Sequence, residues 1–111
     1  MNQKTVVIDP RRLLDWPSFH AEFAARFAFP ASYDATMDAW VECMTELDFR
    51  PVGAASGWAP FDTLVVIQVE ESNILQAGNP EIYRELMESC AYVNSRRMHV
   101  GNTAYLALAF S

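Results

Sequence analysis

FPASYDATMDAWVECMTEL, residues 29–47, is the stretch from which the fold of this chain is best predicted. Four of its apolar residues recur at the spacing that places side chains on one face of an α-helix. They are Met37, Trp40, Val41 and Met44. We therefore predict an amphipathic helix that packs this face into the core.

A second pattern in the same stretch consists of four carboxylates spaced four residues apart: Asp34, Asp38, Glu42 and Glu46. If the helix begins near Asp34 and reaches Glu46, they lie along one ridge, and each like-charge pair costs about 0.2–0.5 kcal/mol. The helix dipole offsets this cost in the first turn but leaves Glu42 and Glu46 unsupported. An acidic ridge that opposes local stability indicates a cationic partner.

The stretch also resembles the barstar-like inhibitors of secreted ribonucleases. The shared residues, in the family's order and spacing, are Phe29-Pro30, Tyr33, Asp38-Ala39, Glu42 and Cys43. Weaker likeness extends to a hydrophobic N-terminal strand, an aromatic-rich first helix, Tyr83-Arg84-Glu85 and a C-terminal apolar strand ending in Ser111. The chain departs from the usual family residues at five positions. Ser32 stands where the family usually has Tyr, Asp34 where it has Gly, Thr36 where it has Asn, Val41 where it has Trp, and Glu42 where it has Asp.

This resemblance implies an α/β fold, with a small three-stranded parallel sheet packed against three to four helices. It implies a cytoplasmic protein, monomeric when free, that occludes the active site of a basic secreted ribonuclease or toxin nuclease domain. It implies no catalytic residue, metal or cofactor. The partner-binding residues carried over from the family or adjoining its motif are Ser32, Tyr33, Asp34, Thr36, Asp38, Val41, Glu42, Thr45, Glu46, Leu47 and Glu85.

Composition independently limits the function. The 111 residues suffice for one domain, 1–111, and a hydrophobic content of 51% indicates a packed core. A net charge of −6 repels nucleic-acid phosphates and anionic membranes and attracts basic proteins. The simpler interpretation of this charge is solubility. The apolar run before Asp9 is too short for a signal peptide or a membrane span, so we expect cytosolic residence.

Outward from the acidic stretch, the chain reads as alternating strands and helices. Thr5–Ile8 predicts a short, central strand. Asp15 and Pro17 predict the start of a first helix, which Phe29-Pro30 stops. The aromatic stripe of that helix is expected to enter the core, the alternative being an aromatic ligand site. The stripe consists of Trp16, Phe19, Phe23 and Phe27.

Residues 49–62 contain two Pro and two Gly and predict a long loop, which we expect Trp58 and Phe61 to anchor. The β-branched run Thr63–Val69 predicts a strand covered on both faces. One helical turn at 74–77 and a helix from Pro80 follow. In that helix Ile82, Leu86, Cys90 and Val93 form the buried stripe, while Arg96, Arg97 and His99 suit its C-terminal end.

A third strand over Thr103–Phe110 completes the order β-α-α-β-α-β, an α/β layer with right-handed crossovers. The isolated glycines exclude dinucleotide and P-loop motifs. Cys43 and Cys90 lack metal-site spacing and are expected to stay reduced.

Three alternatives stay open at this stage. Cys43 could pair with His20 or His99 as a nucleophile, although neighbouring carboxylates would raise the pKa of its thiol and suppress the thiolate. Tyr33 could cap the core rather than contact a partner. The acidic surface could likewise serve an adaptor or subunit that binds a protein other than a nuclease.

Overall fold

The β-branched run Thr63–Val69 forms strand β2 at the centre of a parallel sheet in the computed structural model, which describes residues 2–47 and 63–111. Within these ranges β2 lies between β1 (Asn2–Ile8) and β3 (Leu106–Phe110). The α-helices of the described residues are α1 (Trp16–Arg26), α2 (Met37–Thr45), α3 (Ser72–Gly78) and α4 (Pro80–His99). The predicted α/β fold with a three-stranded parallel sheet is confirmed.

Strand order corrects one prediction about β1. Thr5–Ile8 was expected to lie at the centre, but β1 is an edge strand because β2 pairs with a neighbour on each side. The register places Ile8 beside Val69, and Val69 beside Phe110. The side chain of Val7 is exposed, as is common at an edge.

The two faces of β2 differ in burial. Val65, Ile67 and Val69 are fully buried, whereas the alternating residues Leu64 and Val66 are half-buried. The prediction that both faces are covered therefore holds fully for one face only. Strands of parallel sheets are usually covered on both faces. In the described residues, the face of β2 that carries Leu64 and Val66 is covered less fully than the other.

Helix α1 begins where its sequence predicts and ends earlier. The Asp15 carboxylate accepts the backbone N–H of Ser18 at 2.8 Å, and Phe19 and Phe23 enter the core as expected. The helix ends at Arg26 rather than at Phe29-Pro30, because Ala28 adopts a left-handed conformation with φ of 53°. Such a residue just past a helix ends the α-helical hydrogen-bond pattern before proline does.

The Asn79 side chain joins two helices and the first part of the chain. Its carbonyl oxygen accepts the backbone N–H of Ile82 at 3.1 Å, and its amide donates to the Leu14 carbonyl at 2.9 Å. It therefore caps α4, which begins at Pro80 as predicted. The preceding turn is longer than the predicted 74–77, since α3 begins at Ser72.

Strand β3 begins at Leu106, three residues after the predicted start at Thr103. The Asn94 side chain explains this boundary, since its oxygen accepts the backbone N–H groups of Tyr105 and Leu106, each at 3.0 Å. The predicted loop over 49–62, with its anchors Trp58 and Phe61, lies outside the described residues. No helix in the described part of the chain combines the length and apolar character needed to cross a membrane.

Candidate partner-binding surface

Helix α2 begins three residues later than the sequence pattern suggested. The Thr36 hydroxyl accepts the backbone N–H of Ala39 at 3.1 Å and donates to the Asp34 carboxylate at 2.8 Å. Thr36 is extended and Ala35 is left-handed, with φ of 59°, so the chain is not helical before Met37. Asp34 therefore precedes the helix instead of forming its first turn.

The predicted ridge of four helical carboxylates is correspondingly wrong in its two outer members. Helix α2 ends at Thr45, which leaves Glu46 as the residue that caps the helix C-terminus. Asp38 and Glu42 share one helix face at i and i+4 and are exposed. Asp34 and Glu46 are exposed at the two ends. We call Asp34, Asp38, Glu42 and Glu46 the acidic surface.

Burial and three of the four carboxylates of the acidic surface affect the pKa of the Cys43 thiol. Burial raises its pKa most, and the charges of Glu46, Glu42 and Asp34 raise it further. Those three carboxylates thus lie close enough to act on one sulfur atom, although Asp34 is outside the helix. The raised pKa was predicted, and it disfavours the thiolate that nucleophilic chemistry needs.

Two predicted partner contacts face the core instead. Val41 is 6% exposed and Leu47 is 3% exposed, so neither side chain offers a partner much surface. Both belong to the cluster that also buries Trp40 and Met44, in agreement with the predicted apolar stripe. Thr45 is half-buried, and its hydroxyl donates to the Val41 carbonyl at 2.6 Å.

Tyr33 packs partly against the core, and its role as a partner contact stays a prediction. Its ring lies 4.8 Å from that of Phe29 between centroids, and its hydroxyl shares a hydrogen bond with Nδ1 of His20. Burial raises the pKa of the hydroxyl far above its ordinary value, with smaller effects from Cys43 and Asp34. Ser32 is exposed, whereas Tyr33 is half-buried.

Glu42 has a cationic neighbour that the sequence did not reveal. Nη1 of Arg96, in the last turn of α4, lies 3.2 Å from Oε1 of Glu42. The side chains remain 59% exposed for Glu42 and 38% for Arg96. The expectation that Glu42 stands unsupported is therefore wrong, because 54 residues separate two groups that the fold brings together.

Arg97, the residue after Arg96, holds the C-terminal end of α2 in place. Its side chain is 4% exposed and donates from Nη1 to the Thr45 carbonyl at 2.9 Å and from Nε to the Thr103 carbonyl at 2.7 Å. Its guanidinium lies 3.6 Å from the ring centroid of Tyr105. The Tyr105 hydroxyl in turn donates to the Met44 carbonyl and accepts the Leu47 N–H.

The sequence placed Arg96 and Arg97 simply at a helix end, favoured by the dipole. That placement is right, but it misses their contacts with α2. Two adjacent arginines were the only signal that the sequence offered, and the helix dipole explains such a pair equally well.

Glu85, also predicted to contact the partner, lies on α4 and is half-buried. It precedes Arg96 by three helical turns, so the two residues share one side of α4 about 16 Å apart along the axis. Its place in a partner-binding surface therefore stays a prediction.

Burial shifts the pKa values of the His20, Cys43 and Cys90 side chains. His20 is hydrogen-bonded to Tyr33, and burial lowers the pKa of its imidazole against the opposing charge of Asp34. Burial raises the pKa of the Cys90 thiol to about 12. In residues 2–47 and 63–111, no three His, Cys, Asp or Glu side chains are placed to hold a metal ion.

A cleft of about 380 Å³ lies at the carboxyl ends of β1 and β2 and shares no residue with the acidic surface. Arg11 pairs there with Asp9 at 3.4 Å and with Glu71 at 3.3 Å. Arg11 is therefore already paired with carboxylates in this cleft.

Comparison with known proteins identifies a family for the chain. The family model described as Barstar (barnase inhibitor) matches residues 3–106, which include every predicted partner-binding residue. A search of curated proteins gave no significant match.

Proposed function

Because the chain belongs to the barstar family, we propose that it is an intracellular inhibitor that binds a basic ribonuclease and covers its active site. The observation that carries this proposal is the acidic surface, in which Asp38 and Glu42 project from one exposed face of α2. Asp34 and Glu46 extend the negative charge beyond both ends of the helix.

The mechanism follows from where these carboxylates are held. Residues that bind RNA phosphates in a ribonuclease are cationic. Carboxylates on a rigid helix can occupy the positions that the phosphates would take beside those residues. Trp40 and Met44 anchor the opposite side of α2 in the core, so the helix keeps its shape when a partner docks. Opposite charges also accelerate association, which suits an inhibitor that must act before cellular RNA is cut.

We assign direct contact to the exposed and half-exposed members of the predicted set, with Glu85 at the rim. Val41 and Leu47 shape this surface from below, since their side chains are buried. The direct contacts are Ser32, Tyr33, Asp34, Thr36, Asp38, Glu42, Thr45 and Glu46.

The test is inhibition of barnase, the ribonuclease named in the family description, by purified variants. We expect Asp38→Ala and Glu42→Ala each to weaken binding by about 2 kcal/mol or more, the scale of interface hot spots. Glu70→Ala removes the same charge from an exposed residue after β2 and should leave inhibition unchanged. Unfolding curves of all variants check that the fold is intact. Equal effects of the Glu70 and Asp38 variants would mean that inhibition depends on net charge and not on the acidic surface.

Competition and salt dependence test the mechanism itself. The inhibitor should compete with a short RNA substrate, and association should slow as salt rises because screening acts within about 8 Å at physiological ionic strength. Dissociation should change less. Inhibition that RNA does not relieve, or association that is indifferent to salt, would contradict occupation of the phosphate sites.

The departures from the family pattern favour a second candidate function, an adaptor that presents the same surface to a protein other than a nuclease. Ser32, Asp34 and Val41 stand where the family usually has Tyr, Gly and Trp. The neighbouring reading frame distinguishes the two candidates. A small basic secreted nuclease or toxin domain encoded there favours the inhibitor.

A further inference from the structure

We propose that Arg96 sets the specificity of the acidic surface, because it neutralises Glu42 in the free protein and disfavours partners that present only cations to that carboxylate. This inference rests on the proposed function and adds a condition to it. The preferred ribonuclease should place a carboxylate of its own opposite Arg96, at the edge of its basic site.

The position of Arg96 is imposed by its neighbours. Arg97, the next residue, is buried and donates to the Thr45 carbonyl at 2.9 Å, which fixes the last turn of α4 against the end of α2. Tyr92, one turn earlier, is exposed, and the Arg96 guanidinium lies 5.9 Å from its ring centroid. Arg96 thus reaches Glu42 from a fixed backbone and rests beside an aromatic ring.

Asp38 provides the internal comparison. It lies one turn before Glu42 on the same exposed face, yet among the described residues no cation pairs with it. A partner arginine or lysine that approaches Asp38 therefore does not compete with a cation already paired to that carboxylate. The same group approaching Glu42 meets Arg96, 3.2 Å from the carboxylate.

Binding would strengthen this conflict. An exposed ion pair is weak in water, but an interface excludes water and raises the cost of bringing two cations together. A carboxylate accepts several hydrogen bonds, so Glu42 can bind Arg96 and a partner cation at the same time. The repulsion between the two cations is offset when a carboxylate of the partner also binds Arg96. Repulsion of the wrong partner is a common source of specificity at protein interfaces.

The experiment measures association of barnase with the parent protein and with Arg96→Gln by stopped flow. Removal of Arg96 should raise the association rate by about three- to ten-fold at low salt, and the gain should vanish at high salt. Arg96→Lys keeps the charge and should show no gain. Arg12→Gln makes the same net-charge change at an exposed residue of the 3-10 helix Pro10–Leu13 and should change the rate much less.

A double-mutant cycle assigns the effect to the pair. Glu42→Gln should weaken binding more in the Arg96→Gln background than in the parent, because only there is the carboxylate fully available. Asp38→Asn should cost the same in both backgrounds. Unfolding curves accompany each variant, and Arg96→Met, which keeps the aliphatic stem, replaces Arg96→Gln if the latter is unstable.

The outcomes separate this inference from the proposed function. Inhibition by Arg96→Gln alone, or faster association than the parent, supports the role of Arg96. Inhibition by the parent with an unchanged or slower Arg96→Gln overturns that role and leaves the inhibitor function intact. Failure of both proteins to bind barnase overturns ribonuclease inhibition of this class and the inference with it.

Discussion

The two ends of α2 are held by different kinds of interaction. At the N-terminal end, Thr36 and Asp34 form exposed hydrogen bonds with groups at most three residues away. At the C-terminal end, Arg97 and Tyr105 reach the helix carbonyls from more than fifty residues away and are buried. The helix that carries Asp38 and Glu42 is therefore locally capped at its start and fixed by tertiary contacts at its end.

This difference predicts unequal resistance to mutation. Exposed local hydrogen bonds compete directly with water and contribute modestly to stability. Buried polar groups that lose a partner remain out of water and cost more. We therefore expect variants at the C-terminal end of α2 to be the more destabilising, and three measurements test this expectation; a fourth concerns His20 in the neighbouring helix α1.

The largest effect is expected from Arg97→Met, which removes the guanidinium and leaves the Thr45 and Thr103 carbonyls without their donor. Because two hydrogen bonds to a charged group are lost, each worth about 1.5–3 kcal/mol, we expect a loss of about 3–5 kcal/mol in the free energy of unfolding, measured with denaturant. Arg84→Met, at an exposed position of the same helix, is the control. A loss below about 1 kcal/mol would mean that water replaces the guanidinium and that this end is not specially fixed.

Tyr105→Phe should cost less, about 2 kcal/mol, because the ring remains while the hydroxyl is lost. The Met44 carbonyl and the Leu47 N–H then have no partner at that position. Amide hydrogen exchange of Leu47 should accelerate more than the global loss of stability explains. Unchanged relative protection at Leu47 would argue against a local role of the hydroxyl.

At the other end of α2, Thr36→Ala should cost about 1 kcal/mol, the usual value of a helix N-cap. Thr36→Ser retains a hydroxyl for the Ala39 N–H and should recover most of the loss in thermal unfolding. If Thr36→Ala proved as damaging as Arg97→Met, the contrast between the two ends would not hold.

The smallest effect concerns pH. Burial lowers the pKa of His20 below its ordinary 6.5, so the unfolded chain binds the proton more readily than the folded one. The contribution of His20 to stability should therefore be constant above about pH 6.5 and fall as the pH drops through that value toward the folded pKa. His20→Gln should remove this slope below about pH 6.5, while variants of the exposed His99 should retain it. If the pH dependence of stability persists in His20→Gln, another titratable group causes it.

How far the sequence predicts this molecule depends on the separation of the interacting residues. The stripe of Trp40, Val41 and Met44 was predictable because helical periodicity is a local property. The strand Thr63–Val69 was predicted to the residue for the same reason. Boundaries were less accurate, since the left-handed Ala28 and the capping hydroxyl of Thr36 override simple periodicity.

The candidate surface was predicted less completely than the fold. Asp38 and Glu42 were identified from their spacing, but burial of Val41 and Leu47 depends on how α2 packs in three dimensions. The contact of Arg96 with Glu42 joins residues on two helices. No local pattern specifies which of several arginines will meet a given carboxylate.

The parallel sheet has a consequence for how the protein is made. The register joins Asn2 to Thr63 and Val65 to Leu106, so each strand pair closes across intervening helices and no hairpin can form first. Distant closure of this kind generally slows folding. On the ribosome, β2 emerges well before residues 106–110 and until then presents one unpaired backbone edge. Such an edge can pair with another chain, so the nascent protein should be most prone to aggregation in that interval.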